Sequence, residues 1–208
     1  MGRIEITKKV LGICATNCYT VVDTETKEAL IIDPADRADV LIRDWKDKGV
    51  TPQAVLLTHG HFDHIGALAG VKKEYPDIKV YAAVAEKEVM ENPALNLSSS
   101  FGAAFTAQAD IYLEDGTEIE VLGRTCKCLL VPGHTKGGMC YYFPEEKVVF
   151  TGDTLFCYSV GRTDFPTGDA RALEEAIREK LFTLPDETLV LPGHDAQTMI
   201  GKEKTGNP

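Results

Sequence analysis

The sequence predicts an α/β fold in which two β-sheets pack together and helices cover their outer faces. Short apolar segments alternate with charged or glycine-containing turns along the whole chain, and amphipathic helical segments lie between them. The same strand-rich pattern occurs in each half. No linker or low-complexity tract separates the halves, so we expect residues 1–208 to form a single domain.

In the first half, apolar runs of strand length and two helical patterns follow one another. The predicted strands cover residues 4–10, 18–22, 29–32, 54–57 and 80–82, and the predicted helices cover residues 39–48 and 67–75. The first helix has Leu41 and Trp45 on one face and ends at Gly49. Residues 94–109 are rich in Ser, Ala, Gly and Phe with weak periodicity, which predicts a loop with short helical pieces.

The second half continues with strands and one longer helix. The predicted strands cover residues 118–122, 127–131, 140–143, 148–150 and 188–191. Residues 170–182 carry Leu173, Ile177 and Leu181 on one helical face, and Asp169 can cap the first turn.

Composition and charge exclude several classes of function. The 208 residues are 44% hydrophobic and 26% charged, which is ordinary for a globular protein, and no apolar run is long enough to span a membrane. A net charge of −10 disfavours nucleic acid as a partner. The start of the chain lacks the features of a secretory signal, so we expect a cytoplasmic protein. None of the six cysteines forms a C-x-x-C pair, and free, packed thiols are expected.

Candidate metal ligands follow buried strands in a repeated pattern. An apolar run and a short turn lead to His59, and the same arrangement leads to His134, Asp153 and His194. Because strand ends gather at one edge of a sheet, these side chains can converge. Asp33 follows Leu-Ile-Ile in the same way, and we expect it to hold a loop near the site from a position outside the ligand set.

The segment H-G-H-F-D-H is the densest cluster of ligand-type residues. It supplies His59, His61, Asp63 and His64 within six residues, which is more than one metal ion needs. Imidazole and carboxylate groups suit zinc, iron or manganese. An isolated histidine is ordinarily a core or surface residue, but all five histidines of this chain fall within these motifs. A metal site is therefore the better interpretation.

The H-x-H-x-D-H cluster, the two Pro-Gly-His turns and Gly-Asp-Thr resemble the metallo-β-lactamase superfamily. The resemblance implies an αββα sandwich of two mixed β-sheets, with helices on the outer faces and the site at one edge. It also implies two divalent metal ions, with zinc the first choice and iron or manganese as alternatives. By motif, His59, His61 and His134 would bind one ion, Asp63, His64 and His194 would bind the second, and Asp153 would bridge the two.

Within the superfamily, G-D-T-L-F and the later G-R-T-D-F-P resemble the glyoxalase II-like branch, which hydrolyses thioesters such as hydroxyacylglutathione. The chain ends 14 residues after His194, which leaves no room for the C-terminal helical domain whose basic residues hold glutathione in the longer members. A short, single-domain member is therefore expected. The G-R-T-D-F segment also resembles persulfide dioxygenases, which use one iron in the same fold.

Three functions follow as hypotheses. The first is hydrolysis of a small-molecule thioester by a bridging metal-bound hydroxide, with Asp63 and Asp153 as the catalytic carboxylates. A thiol with a pKa of about 8.5 can leave without a proton donor, whereas a lactam nitrogen needs one and no spare histidine is present. The second is a mononuclear iron persulfide dioxygenase. The third is a non-catalytic metal-binding or redox-partner domain, against which the complete ligand set argues.

Two further residues have alternative roles. Arg162 can bind an anionic substrate through its planar guanidinium, or it can pair with Asp164 and hold the loop that contains both. Asn17, in the segment T-N-C-Y, resembles a family signature near the first strands, but its expected role is to stabilise a local turn.

Overall fold

A computed structural model describes residues 2–207, which form two six-stranded sheets and one short hairpin. The strands of the first sheet are β1 (Ile4–Leu11), β2 (Thr16–Asp23), β3 (Glu28–Ile32), β4 (Thr51–Leu56), β5 (Lys79–Ala83) and β6 (Ile111–Leu113). They lie in sequence order across the sheet. The pairs β1–β2 and β2–β3 are antiparallel, and the remaining pairs are parallel.

The second sheet is also mixed. It contains β7 (Glu118–Val121), β8 (Arg124–Leu130), β9 (Met139–Phe143), β10 (Val148–Gly152), β13 (Leu189–Pro192) and β14 (Thr198–Met199), in the spatial order β14-β13-β10-β9-β8-β7. Only β10 and β13 are parallel among its described pairs. The hairpin of β11 (Leu155–Phe156) and β12 (Ser159–Val160) follows β10.

Seven α-helices connect these strands in the part of the chain that is described. They are α1 (Ala38–Asp47), α2 (Phe62–Ile65), α3 (Leu68–Glu74), α4 (Lys87–Glu91), α5 (Ser98–Phe101), α6 (Ala170–Ala176) and α7 (Ile200–Gly206). A 3₁₀ turn at Val84–Glu86 precedes α4, and a π-helical segment at Ile177–Leu181 continues α6. Across residues 2–207, no helix combines the length and apolarity that a membrane span requires.

Three separate apolar cores define the layers. Leu30 and Ile32 of β3 point into the core between the two sheets, whereas Ile31 points into the core beneath α1 and α3. In the second sheet, Phe150 faces the inter-sheet core and Val149 faces the core that α6 covers. Because side chains alternate across each strand, both sheets bury both faces. The order of layers is helix, sheet, sheet, helix, which confirms the expected αββα sandwich.

Local signals in the sequence account for most of these elements. Gly49 follows α1 with a φ of 64°, the left-handed conformation that glycine adopts readily after a helix. Asp169 accepts a hydrogen bond from Ala172 N at 3.0 Å and so caps α6 as expected. The predicted helix over residues 170–182 changes from α to π at Ile177. Strands β6, β11, β12 and β14 have two or three residues each, too short for a periodic pattern.

Candidate metal centre

One edge of the sandwich collects every ligand-type residue that the strand pattern predicts. His59 follows β4, His134 follows β8, Asp153 follows β10 and His194 follows β13. The short helix α2 begins immediately after His61 and holds the remaining two predicted ligands. The parallel pair β10–β13 ends with its carboxyl termini side by side, which brings Asp153 and His194 together.

Three groups of three candidate ligand atoms lie at this edge, of which one, His59, His64 and Asp153, shares a residue with each of the other two. The first trio is His59, His61 and His134, and the second trio is Asp63, His64 and His194. Within each trio the three candidate ligand atoms lie within 4.8 Å of one another. In the first trio, His61 Nδ1 and His134 Nε2 are 3.0 Å apart. Ligands that share a tetrahedral zinc ion are separated by about 3.3 Å, given zinc–nitrogen bonds of 2.0–2.1 Å.

Asp153 lies between the two trios. Its Oδ2 is 3.6 Å from Nε2 of His134 and 3.3 Å from Nε2 of His194. Its Oδ1 is 3.3 Å from Nε2 of His64. One carboxylate therefore contacts histidines of both trios, which is the position that the motif comparison predicts for a bridging ligand.

Unpartnered buried atoms test whether these residues suit metal ions. The Nε2 atoms of His59 and His64 and the Oδ1 atom of Asp153 are buried without a hydrogen-bond partner among the described residues. Buried polar atoms are otherwise almost always satisfied, because leaving one unpaired costs about 1–3 kcal/mol. A cluster of orphaned imidazole and carboxylate atoms on one site fits divalent cations well.

Asp33 orients two of the histidines. Its Oδ2 lies 2.9 Å from His64 Nδ1 and accepts a 2.6 Å hydrogen bond from the Thr58 hydroxyl. Because that hydroxyl has its one hydrogen on Asp33, it can only accept from Nδ1 of His59, 3.2 Å away. Both rings thus carry a proton on Nδ1 and present a bare Nε2 to the site. This buried position matches the supporting role expected for Asp33.

Three more contacts hold ligands or their loops. Thr16 Oγ1 donates a 2.6 Å hydrogen bond to Asp63 Oδ2, and the main-chain oxygen of Arg162 lies 2.7 Å from His134 Nδ1. Asn17 was expected to stabilise a local turn, and that expectation is wrong. Its Nδ2 donates to the main-chain oxygens on both sides of His194, at Pro192 (2.9 Å) and Asp195 (3.1 Å). The signal that sequence reasoning lacked is long-range, because Asn17 acts across the two sheets.

Burial and charge affect the two trios in opposite directions. Burial lowers the pKa of His59, His61 and His134, and for His61 it lowers the value to about 3. Burial also opposes protonation of His64 and His194, but nearby carboxylates, Asp153 above all for His194, outweigh it and raise both pKa values. The pKa shifts therefore favour neutral imidazoles in the first trio, whereas protons compete more strongly with a cation for His64 and His194.

Glu86 is a site residue that sequence reasoning missed. Its side chain is fully buried, and its Oε2 accepts from Gly60 N at 2.8 Å. Its Oε1 accepts from Gly137 N at 2.9 Å and from the Thr135 hydroxyl. Gly60 lies between two ligands of the first trio, and Thr135 follows the third ligand, His134. Glu86 thus connects both loops that supply the first trio.

The approach of Glu86 explains two glycines in these loops. A Cβ atom on Gly60 would lie 2.7 Å from Met90 Cγ and 3.0 Å from Glu86 Oε2. A Cβ atom on Gly137 would lie 2.5 Å from Glu86 N. Both contacts are shorter than ordinary van der Waals contact, so any larger residue would push the loops away from Glu86.

Arg162 lines the cavity above the ligands but is already paired. Its Nε and Nη2 donate to the two carboxylate oxygens of Asp164, each at 2.7 Å, and its guanidinium lies 4.0 Å from the centroid of the Phe165 ring. This is the geometry of the loop-holding alternative. The Nη1 atom takes no part in the pair, and substrate binding by Arg162 stays a prediction.

Fold and site together define a metallo-hydrolase-like protein with a candidate two-metal centre at the edge of an αββα sandwich. Residues 11–194 match the model of the metallo-beta-lactamase superfamily, and the chain belongs to that superfamily. It is 38% identical over 200 residues to the probable metallo-hydrolase YqgX of Bacillus subtilis, covering 95% of this chain and 93% of that protein. It is 35% identical over 198 residues to hydroxyacylglutathione hydrolase GloC of Haemophilus influenzae, covering 92% and 91%.

Solved structures agree with this assignment. The BLEG-1 B3 metallo-beta-lactamase aligns with a TM-score of 0.92 and 40% identity, over 98% of both chains. TTHA1623, solved in a di-iron-bound form, aligns with a TM-score of 0.85 and 36% identity, over 97% of this chain and 98% of that one. ETHE1 from Myxococcus xanthus aligns with a TM-score of 0.81 and 32% identity, over 98% of this chain and 83% of that one.

Proposed function

We propose that this protein is a two-metal hydrolase that cleaves thioesters, with hydroxyacylglutathione-like compounds as the first substrates to test. The observation that carries the proposal is the second trio. A mononuclear site needs only one set of three ligands, yet Asp63, His64 and His194 lie together beside the first set. Thr16 orients Asp63 and Asp33 orients His64, so hydrogen bonds from outside the trio fix the second trio as they fix the first. The similarity to GloC supports the thioester as substrate.

We propose a position within the chain for each of the two metals. His59, His61 and His134 would hold one ion, Asp63, His64 and His194 would hold the other, and Asp153 would contact both. Bound there, two divalent ions supply a nucleophilic hydroxide at neutral pH and Lewis-acid stabilisation of the carbonyl oxygen. We propose zinc as the first candidate, with iron and manganese as alternatives.

Asp63 and Asp153 are the proposed catalytic carboxylates. Asp63 accepts the Thr16 hydrogen bond on Oδ2, which also lies 3.5 Å from Nε2 of His64 and of His194, and its side chain lines the cavity. Burial opposes ionisation of Asp153, but His64 and His194 outweigh it and hold its pKa well below the usual range. The ionised carboxylate, which is the form that binds a metal, is therefore favoured at Asp153.

The reaction balances without a protein nucleophile. The oxygen of water bonds to the carbonyl carbon, the carbon–sulfur bond breaks, and the products are a carboxylate, a thiol and one proton released to solvent. With a pKa of about 8.5 the thiol can leave as a thiolate, so no general acid has to protonate it. This suits the site, because its five histidines are all occupied as candidate ligands.

A persulfide dioxygenase is the second candidate, because the chain is 32% identical to ETHE1 from Myxococcus xanthus. That reaction would use one iron and would consume oxygen, whereas thioester hydrolysis would use two metals and would not. A non-catalytic metal-binding role is less well supported, since the ligands line an open cavity of about 490 Å³.

One set of measurements separates the candidates. Purified protein reconstituted with zinc or iron is analysed for metal content, then assayed with S-lactoylglutathione, with glutathione persulfide under oxygen, and with a β-lactam as a control for the similarity to BLEG-1. We expect close to two metals per chain and release of free thiol from the thioester under argon. One tightly held iron, with oxygen uptake on persulfide and no thioester turnover, would overturn the proposal.

A further inference from the structure

The cavity above the two trios has a polar floor and an apolar wall. His61, Asp63, His134, Asp153 and His194 form the floor. The apolar wall consists of Phe62, Leu97, Phe101, Phe156, Val160 and Phe165. The volume of about 490 Å³ is within the range of small-molecule sites. A substrate bound at the metals must therefore lie against this wall.

The apolar wall begins directly at the ligands. The ring of Phe165 meets His61 edge-on at a centroid distance of 5.8 Å, and Phe156 approaches His194 at 6.1 Å. Phe62 stacks on Phe101 with a centroid distance of 4.8 Å and an interplanar angle of 15°. The wall is continuous with the candidate metal ligands, and stacking holds Phe62 and Phe101 against each other.

The outer part of the apolar wall is exposed. Phe101 retains 50% of its accessible surface and Val160 retains 41%. Leaving large apolar side chains in water around a site forgoes hydrophobic stabilisation that an apolar ligand group would recover.

Charge on the same wall does not favour an anionic substrate group. Arg162 is the one Lys or Arg side chain among the described lining residues, and Asp164 binds its guanidinium through two hydrogen bonds. Asp195 also lines the cavity and carries negative charge. A substrate carboxylate above the metals would have to compete with Asp164 for Arg162, within a protein of net charge −10.

We propose that the apolar wall binds an uncharged, apolar group next to the scissile bond, so that apolar thioesters are better substrates than hydroxyacylglutathione-like ones. This inference rests on the proposed function and specifies its substrate class. The apolar group belongs to either the acyl or the thiol side of the thioester, and the wall chemistry is the same for both.

Two substrate series test the inference. The acyl arm compares acetyl, butanoyl and hexanoyl thioesters of N-acetylcysteamine, and the thiol arm compares acetyl thioesters of ethanethiol and hexanethiol. Full burial of a methylene is worth about fourfold, the equivalent of about 0.8 kcal/mol. The outer part of the wall is exposed, so each added methylene is only partly buried and contributes less than this. We therefore expect kcat/KM to rise at least tenfold along one arm, and to exceed kcat/KM for S-lactoylglutathione. Equal values along both arms, or preference for S-lactoylglutathione, would overturn it.

Variants locate the effect on the wall. Phe101→Ala should remove most of the chain-length dependence, and Phe101→Leu should restore part of it. Ile111→Ala is the matched control, since Ile111 is an exposed apolar residue of β6 outside the cavity lining, and it should leave the dependence unchanged. Equal losses on short and long substrates in Phe101→Ala would contradict a role in selecting the apolar group.

A binding measurement distinguishes failure of this inference from failure of the proposed function. Acetate and hexanoate share a carboxylate and differ only in apolar length, so calorimetry on the metal-loaded protein measures the wall without turnover. Tighter binding of hexanoate, lost in Phe101→Ala, supports the wall even if no thioester is cleaved. Equal binding of the two carboxylates would overturn the proposal that the wall binds an apolar group. Absence of thioester hydrolysis would instead count against the proposed function.

Discussion

Glu86 provides the most direct test of how the first trio is held. Replacing Glu86 with Gln keeps the shape of the side chain but leaves one acceptor oxygen in place of two. If that oxygen stays with Gly137 N and the Thr135 hydroxyl, the new amide NH₂ faces Gly60 N–H, and neither can accept from the other. If the amide is reversed, Gly137 N and Thr135 lose their acceptor.

The size of the effect follows from burial. Glu86 is fully buried, and each buried donor left unpaired costs about 1–3 kcal/mol. At least one donor is left unpaired in either orientation of the amide, so we expect the free energy of unfolding to fall by about 1–3 kcal/mol or more in Glu86→Gln. For a chain of this length the melting temperature should fall by about 2–4 °C per kcal/mol. Movement of the two connected loops should weaken metal binding to the first trio by about 10–100-fold.

The assay pairs thermal unfolding of the metal-free protein with chelator competition for each metal. Weaker binding at the first trio, with a much smaller change at the second trio, would identify Glu86 as a positioning residue. The control is Glu88→Gln, because the Glu88 side chain is 66% exposed and pairs with Lys136 at the surface. The control should change stability by less than about 0.5 kcal/mol. Wild-type stability and metal affinity in Glu86→Gln would refute the reasoning.

Three further perturbations test the rest of the site. Asp63→Ala removes one member of the second trio, so elemental analysis should find one metal retained and hydrolysis should fall by orders of magnitude; wild-type turnover would show a structural role only. His64 and His194 have raised pKa values, so as pH falls below neutrality protons should displace the second metal before the first. Release of both metals in a single step on dialysis from pH 7.5 to pH 5 would contradict that order. Because Asp164 pairs with Arg162, Arg162→Ala and Asp164→Ala should reduce kcat/KM alike for charged and neutral thioesters. A rise in KM confined to anionic thioesters would instead show that Arg162 binds substrate.

The candidate ligands were predictable because their signal is local. His59 and His194 each follow a buried apolar strand and a short turn, and such strands must end at a sheet edge. The same pattern identified Asp33 as a supporting residue, and its hydrogen bonds to His64 and Thr58 agree. A run of apolar residues followed by a ligand-type residue therefore predicts both a β-strand and the position of that side chain near the edge of the sheet.

Supporting residues from distant segments were not predictable. Glu86 lies 26 residues from Gly60 and 51 residues from Gly137, within a charged segment that resembles an ordinary solvated helix. Thr16 reaches Asp63 across 47 positions, and Asn17 reaches Pro192 across 175. A single hydrogen bond between remote segments leaves no periodic trace in the sequence.

The sequence by itself predicted the layered fold, the superfamily and the candidate metal-ligand set, because hydrophobic periodicity and ligand spacing are local properties of the chain. Only the tertiary structure decided how Asp153 lies between the two trios, how Glu86 connects two loops, and which side chains wall the cavity. Those features depend on the packing of the two sheets, which brings residues far apart in the chain to within hydrogen-bond distance. The pairing of Arg162 with Asp164 belongs to the same class, since the sequence offered two partners for Arg162 and the folded loop shows one of them.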